Sequence, residues 1–311
     1  MNTASRWRLQ FGKYVAAAYA AERDVAAIVI AGSAARGHAD GYSDVEIGVF
    51  WHDVPSQEDR LRIMAQLDAD GKRVLPFDST EQSWEEDLFL GRARVDVEIS
   101  GLLVEVANCT VDQVSLTLDS VLTDYDASLA KQNLIAGLIH GIEEKGSQLI
   151  RTWRKRAIVY PDELASAVVR QWGQVDNYWR WRMWLDRDNQ LMLNEQIVDV
   201  MQRLLVMLLA VNRTYYLGFK WIDQILRSLA TIPPDFERRF RSILTLGSRS
   251  AVDVLRELVE ETYDLVETNV PDVDVDRLRS IFRWERPYWS DEPPPRHPLP
   301  ATTAPRDVDA G

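Results

Sequence analysis

The chain is poor in cysteine and in positive charge, and it has no long apolar run. Its single cysteine, Cys109, excludes an intrachain disulfide, and this cysteine usage favours a cytoplasmic protein. No apolar stretch of about 18 residues occurs and the N-terminus lacks a signal-peptide core, so we expect no membrane partner. The net charge of −12 argues against nucleic acid as a partner, since phosphate backbones attract basic surfaces.

What the chain does have is a strand–loop–strand pattern near its N-terminus. An apolar strand runs into Gly32-Ser33, and after a loop a second strand opens with Asp44-Val45-Glu46. Side chains alternate along a strand, so Asp44 and Glu46 share one face. Adjacent carboxylates repel unless a cation lies between them, and a small-residue loop offers N–H groups and a hydroxyl to phosphates. The pattern predicts a site for a metal and a phosphate.

A second group of acids follows in a predicted hairpin that turns at Ser100-Gly101, a favourable two-residue turn. This register sets Asp96 directly opposite Glu105, with Glu98 on the same face. Like charges in that position destabilise a sheet by a few tenths to about 1 kcal/mol, so they suggest a cation site. The alternative is a solvent-facing side of the sheet that tolerates acids.

The first pattern also carries a family resemblance. Residues 32–49, GSAARGHADGYSDVEIGV, resemble the DNA polymerase beta-like nucleotidyltransferase superfamily, and look most like its antibiotic-modifying branch, such as the kanamycin nucleotidyltransferases. Residues 189–221 resemble uncharacterised bacterial nucleotidyltransferases with a helical C-terminal half. The resemblance implies an α+β fold whose polymerase beta-like mixed sheet precedes an all-helical domain.

The resemblance also implies a set of acids that bind Mg²⁺. Asp44 and Glu46 are the first two metal ligands, and Glu105 is the first choice for the third. Asp96 and then Glu98 are the other choices for that position. Of Asp96 and Glu105, one would bind the metal and the other would receive the acceptor's amino groups or its proton.

Five residues are the candidates for binding a nucleoside triphosphate. Gly32 and Ser33 are expected to hold the β- and γ-phosphates through backbone N–H groups and the hydroxyl. Arg36 is either a phosphate partner or a surface arginine. Ser43 is expected to cap the turn into the second strand, and Lys220 is a candidate contact for the triphosphate.

The rest of the chain separates into regions of different pattern. With 311 residues, 46% of them hydrophobic, it can bury the core of one large or two ordinary domains. We expect a catalytic domain at 1–126, a helical substrate-binding domain at 127–290 and a disordered proline-rich tail at 291–311. A short strand at 121–124 is predicted to end the α/β part.

Two long helical segments are predicted in the second half. Residues 129–157 form one apolar-periodic run, and a helix is predicted from 161 to about 186. Glu143 and Glu144 would then lie in a helix comparable to the one that supplies a catalytic base in the kanamycin-modifying family, although the local match needs gaps.

Three functions are compatible with these features. The leading hypothesis is an enzyme that uses magnesium to transfer a nucleoside monophosphate, most simply AMP from ATP, to a hydroxyl of a small molecule, with release of pyrophosphate. An aminoglycoside-like and therefore cationic acceptor would connect it to antibiotic resistance. The alternatives are nucleotidylation of a protein, as in minimal nucleotidyltransferase antitoxins, and a nucleotide-binding module without turnover. A homodimer stays open, because related enzymes can build their sites across a dimer.

Overall fold

The computed structural model describes residues 1–80, 82–93 and 100–286. Within these ranges the chain forms one six-stranded mixed sheet with helices, followed by a helical region. The predicted α+β fold class is confirmed. None of the described helices is both long and apolar enough to cross a lipid bilayer.

The elements alternate in the first part of the chain and are almost all helical in the second. The first part contains, in order, α1 (Thr3–Ala20), β1 (Val25–Ile30), α2 (Gly32–Arg36), β2 (Val45–Trp51), α3 (Gln57–Gln66), β3 (Gly71–Val74), β4 (Ser83–Ala93), β5 (Ser100–Thr110) and α4 (Val111–Leu122). The second contains α5 (Leu129–His140), β6 (Ile142–Lys145), α6 (Ser147–Ala157), α7 (Asp162–Trp172), α8 (Tyr178–Asp186), α9 (Gln190–Val211), α10 (Ile222–Ser228), α11 (Phe236–Ser242), α12 (Ser248–Asn269) and α13 (Val275–Arg283).

The strand order across the sheet is β3-β4-β5-β2-β1-β6. The central strands β2 and β5 are parallel, and every other pairing is antiparallel. The strand that opens with the predicted carboxylates therefore lies in the interior of the sheet, between β1 and β5. The outermost strand on the β1 side, β6, comes from beyond the predicted boundary at residue 126, which itself stays a prediction.

Alternation gives the two faces of β2 different surroundings. Val45, Ile47 and Val49 are almost fully buried on the face covered by α1 and α3. On the opposite face Phe50 packs edge-on against Trp153 of α6, with 5.1 Å between ring centroids. Helices thus cover that opposite face at the Phe50 end of the strand, which leaves the other end available for a site.

The predicted turn at Ser100-Gly101 is wrong, because both residues lie inside β5. Ser100 pairs with Ala93, and Glu105 pairs with Asp87 of β4. The glycine serves a close approach between strands: a methyl carbon added at Gly101 would lie 2.6 Å from the carbonyl oxygen of Leu90. This happens where the β4–β5 register shifts, between residues 90 and 93.

Two of the predicted acids come between β4 and β5 in the sequence. Asp96 and Glu98 lie outside the described residues. Glu105 itself pairs with Asp87 of β4 on one side and with Glu46 of β2 on the other. The predicted tail at 291–311 also lies outside the described residues.

The predicted strand at 121–124 is wrong as well. Helix α4 continues to Leu122, because Val114, Leu118 and Val121 recur at helical spacing and are all fully buried. The apolar run that suggested a strand is the last turn of this amphipathic helix.

The two long predicted helices are each broken at glycine. The run at 129–157 is interrupted by β6, which pairs with β1 and contains Glu143 and Glu144. The break falls at Gly141, where an added methyl carbon would lie 3.1 Å from the carbonyl oxygen of Ile30. The helix predicted from 161 to 186 ends at Trp172, before Gly173, and restarts as α8.

This correction removes the helical glutamate as a candidate base. Glu143 forms an ion pair with Arg154, and Glu144 lies 3.8 Å from the Lys13 ammonium. Both carboxylates lie on the outer strand of the sheet and have cationic partners on helices. This setting differs from the helix that the resemblance implied.

Candidate active site

Gly32 and Ser33, predicted in a loop, form the first turn of α2, and this turn brings the glycine into contact with a carboxylate. The backbone N–H of Ala31 donates to the Glu46 carbonyl oxygen at 2.8 Å, which fixes the loop against β2. Gly32 has φ +68°, and a methyl carbon added there would lie 2.5 Å from Glu46 Cδ. Only glycine suits both the backbone conformation and the contact. The Glu46 carboxylate thus lies directly beside the Gly32-Ser33 turn.

Two polar atoms at this place have no hydrogen-bond partner within the described part of the chain. One is the Ser33 hydroxyl oxygen and the other is Asp44 Oδ1, and both are buried. The second carboxylate oxygen of Asp44 lies 3.5 Å from Lys220 Nζ. Buried polar atoms usually have partners, because an unsatisfied one costs about 1–3 kcal/mol. The lack of partners for these two atoms is what we expect of a site where a bound ligand supplies them.

The acids at the site affect one another's ionisation. Burial raises the pKa of Glu46, and the nearby Asp44 raises it further, while Arg36 and Lys220 act in the opposite direction. Burial also raises the pKa of Glu105, and the negative charges of Asp44 and Glu46 raise it further. The charged forms of all three acids are therefore in mutual repulsion, which a bound cation would relieve.

Sequence reasoning missed Asp87, although it belongs to the same row of acids. Glu46, Glu105 and Asp87 are cross-strand partners on β2, β5 and β4, so their side chains share one face. Asp87 is 2% exposed and accepts a hydrogen bond from Arg73 Nε at 2.6 Å. Its charge is therefore already neutralised, and the acids nearer β2 are the ones without a cationic neighbour on the sheet.

The face next to this row is open. Ala107 follows Glu105 by two residues on the same face of β5 and is exposed, although β5 lies inside the sheet. Its neighbour across the pairing with β2 is Gly48, which has no side chain. The Phe50 ring lies over Gly48, at 3.1 Å from where a methyl carbon of that residue would be, while Ala107 is left exposed beside Glu105.

Asp44 and Glu46 have the carboxylate oxygens that a magnesium ion takes as ligands, and the chemistry of the ion does not require a third. Among the described residues no group of three or more acidic, histidine or cysteine side chains is arranged to enclose a metal ion. Magnesium commonly takes one or two carboxylates and completes its octahedron with phosphate oxygens and water. Asp44, with one oxygen lacking a partner, and Glu46 fit this mode. Glu105 as a third ligand stays a prediction.

The remaining predicted residues have varied surroundings. Ser43 is buried in the loop before β2, where its hydroxyl donates to Asp40 Oδ1 and accepts from the Asp40 N–H, both at 3.0 Å. Arg8 Nε donates to the Ser43 carbonyl oxygen at 2.8 Å, which ties this loop to α1. These bonds are those of the expected turn cap. Arg36 lines a neighbouring cavity together with His38.

Lys220 is the contribution of the helical region to the carboxylates. It precedes α10 in a connection that begins where α9 ends at Val211, and its side chain is more than half exposed. Its ammonium group is near Asp44 across a large separation in sequence. The two halves of the chain therefore meet at this site.

Comparisons with known proteins give limited further information. No protein-family model matches the chain. The search of curated proteins found no match either. Among solved structures, the chain is similar to a nucleotidyltransferase-like protein from Exiguobacterium sibiricum, with 12% identity, a TM-score of 0.38, and coverage of 83% of this chain and 74% of that one. This likeness is too distant to assign a function or a residue role.

Proposed function

We propose that the protein is a magnesium-dependent nucleotidyltransferase, which transfers a nucleoside monophosphate to a hydroxyl group of a small molecule. The observation that carries the proposal is the contact between the Gly32-Ser33 turn and the Glu46 carboxylate, beside an Asp44 oxygen and a Ser33 hydroxyl that lack partners in the described structure. The backbone N–H groups of the turn and the Ser33 hydroxyl can donate hydrogen bonds to a phosphate, and the carboxylates can bind a divalent cation.

Each of these residues has a distinct task in the proposed reaction. Gly32 lets the phosphates approach the backbone, and Ser33 donates its hydroxyl to a phosphate oxygen. Asp44 and Glu46 would hold Mg²⁺, with Glu105 as the proposed third acid. When bound, the metal supplies positive charge that offsets the charge of the triphosphate.

The chemistry asks for positioning more than for covalent participation of the protein. The acceptor's hydroxyl oxygen forms a bond to the α-phosphorus, the bond from that phosphorus to pyrophosphate breaks, and the hydroxyl proton leaves to a base. Lys220, which now faces Asp44 at 3.5 Å, is proposed to contact the triphosphate when it is bound. ATP is the expected donor.

The test is nucleotide binding and turnover by the full chain. ATP, GTP, CTP and UTP are titrated with and without Mg²⁺, and pyrophosphate release is followed while candidate acceptors, an aminoglycoside among them, are screened by mass for a nucleotidyl adduct. We expect Mg²⁺-dependent binding and transfer that Asp44→Asn and Glu46→Gln reduce by at least about a hundredfold, because each removes a group that acts on the transition state.

A matched control is available on the same strand pair. Asp53 is an exposed acid just beyond β2, and Asp53→Asn should leave binding and transfer unchanged. Full activity in Asp44→Asn would overturn the metal assignment. Tight Mg²⁺-dependent binding without pyrophosphate release under any acceptor would instead favour a module without turnover, and an adduct on a protein would favour protein nucleotidylation.

A further inference from the structure

A cavity of about 590 Å³ adjoins the carboxylate site. Arg36 and His38, just after the Gly32-Ser33 turn, form one wall, and His140 at the end of α5 forms another. Trp221 and Gln224 contribute from the start of α10. Of the residues predicted to bind the metal or the triphosphate, Arg36 lines it, whereas Gly32, Ser33, Asp44 and Glu46 do not. The cavity is therefore a neighbour of the nucleotide site rather than part of it.

The charged groups in the cavity wall are all basic. Two arginines and two histidines are among the described residues that line it, and none of these lining residues is an aspartate or a glutamate. Arg213 is already committed, because its guanidinium donates to Asp162 at 2.7 Å and to the carbonyl oxygens of Ala210 and Asn269. The described part of the wall thus offers no acidic side chain to pair with a cationic ligand, and its aromatic rings, Tyr215 and Trp221, are the groups that a cation could contact.

Arg36 differs from Arg213 in having no such partner. Among the described residues it makes no hydrogen bond and no ion pair, and its interaction with Glu46 is a longer-range attraction. Burial lowers its pKa, which shows that the fold withdraws this charge from water without pairing it. A half-buried guanidinium of this kind is strongly stabilised by an anion with two oxygens, such as a carboxylate or phosphate.

Further donors surround the same space. Burial and the nearby Arg36 lower the pKa of His38 and of His140, which favours the neutral imidazole, and a neutral imidazole has one N–H to donate. The indole N–H of Trp221 is buried with no acceptor in the described structure. Apolar side chains, among them Ile139, complete the wall. A few polar groups in an otherwise apolar cavity are typical of a small-molecule site.

We propose that this cavity binds the acceptor, and that the acceptor is an anionic hydroxyl compound: a carboxylate or phosphate attached to an apolar body. The inference rests on the proposed function, and it opposes the polycationic acceptor that the sequence resemblance suggests. Arg36 receives the anionic group, and the adjoining Asp44–Glu46 site holds the nucleotide toward which the hydroxyl projects.

The test uses three ligands that share one body and differ in charge: para-hydroxymethylbenzoate, the neutral para-methylbenzyl alcohol and the cationic para-aminomethylbenzyl alcohol. Calorimetric titration of the full chain, without magnesium, should show binding of the benzoate and at least about tenfold weaker binding of the other two. Arg36→Gln should weaken the benzoate by about tenfold or more, and Arg36→Lys, which keeps the charge but loses the two-pronged donor, should weaken it less than Arg36→Gln does.

Two controls separate this inference from the proposed function. Arg151→Gln, at an exposed arginine of α6 that does not line the cavity, should bind the benzoate as the native chain does. Asp44→Asn removes a negative charge near the cavity and should not weaken benzoate binding, so a failed metal assignment would leave the cavity result intact. An unchanged melting temperature verifies that each variant is folded.

Three results would overturn the proposal. One is preferred binding of the cationic ligand, and another is full benzoate affinity in a folded Arg36→Gln variant. The third is displacement of the benzoate by saturating ATP with Mg²⁺, because the cavity would then belong to the nucleotide.

Discussion

Glu86 and Glu46 lie on two strands of one sheet but on opposite faces, and their surroundings differ. Glu86 is 1% exposed, receives a 2.6 Å hydrogen bond from Arg60 Nε, and also accepts from the Asn108 amide. Among the described residues the Glu46 carboxylate makes no hydrogen bond or ion pair, and Asp44 has only the half-exposed Lys220 ammonium at 3.5 Å. A carboxylate that the protein itself satisfies contributes to the structure, whereas one left unsatisfied is available for a ligand.

The largest predicted effect is on the free energy of unfolding, when Glu86 loses its partner Arg60. Arg60→Met leaves the Glu86 charge buried without its partner, so the free energy of unfolding should fall by about 3–5 kcal/mol. Urea unfolding followed by circular dichroism measures the change. The double variant Arg60→Met/Glu86→Gln should recover a large part of the loss, because the neutral amide needs no counterion. A loss below about 1 kcal/mol in the single variant would remove the contrast.

Gly32→Ala tests the other face through the backbone. The positive φ costs about 1 kcal/mol for a residue with a side chain, and the new methyl group must displace the Glu46 carboxylate. We expect a modest loss of stability and a much larger loss of Mg²⁺-dependent nucleotide binding, measured by calorimetry.

Gly91→Ala is the matched control for that variant. Gly91 also has a positive φ, of +79°, but nothing lies within 4 Å of an added methyl carbon. It should share the stability cost and keep nucleotide binding. Equal binding losses in the two variants would show that strain, and not the contact with Glu46, is responsible.

Asp44→Asn should affect stability in the direction opposite to Arg60→Met. Removing the Asp44 charge relieves its repulsion of Glu46 and Glu105, so the free energy of unfolding should stay unchanged or rise by a few tenths of a kcal/mol. Chemical unfolding at neutral pH measures it. A loss of several kcal/mol would mean that Asp44 is a structural residue and that its face of the sheet resembles the Glu86 face.

The smallest effect concerns Cys109, which lies in β5 on the face of the row of acids but beneath α4 and α6. Burial raises the pKa of its thiol to about 12, so the thiolate is scarce at neutral pH. A disulfide reagent should react slowly with the native chain and rapidly after unfolding in urea, with one thiol titrated in each molecule. Complete reaction during mixing of the native protein would show that this end of the face is open.

How much the sequence predicts depends on the range of the interactions. The Asp44-Val45-Glu46 alternation and the Gly32-Ser33 turn are local, and the structure brings these residues together as expected. The hairpin failed because its partner strand, β4, presents Glu85, Glu86 and Asp87 in a row. From the sequence alone, three acids in succession give no sign of which side chains are buried. Glu86 and Asp87 can be buried only because Arg60 and Arg73, which are distant in sequence, pair with them.

Two further failures have the same cause. Strand β6 forms because Gly141 and Gly146 allow the chain to approach β1 closely, a contact that no periodicity reveals. The cavity at Arg36 depends on residues from α5 and α10 that only the fold brings together. Its basic lining could not be read from a chain whose net charge is −12.

The most direct test of the central claim is a titration with Mn²⁺ in place of Mg²⁺, followed by electron paramagnetic resonance, with a non-hydrolysable ATP analogue present. We predict that the native chain and the double variant at Arg60 and Glu86 bind the ion together with the nucleotide, and that Asp44→Asn and Glu46→Gln lose this binding. Mn²⁺ binding by the Asp44→Asn and Glu46→Gln variants that is as strong as that of the native chain would contradict the account.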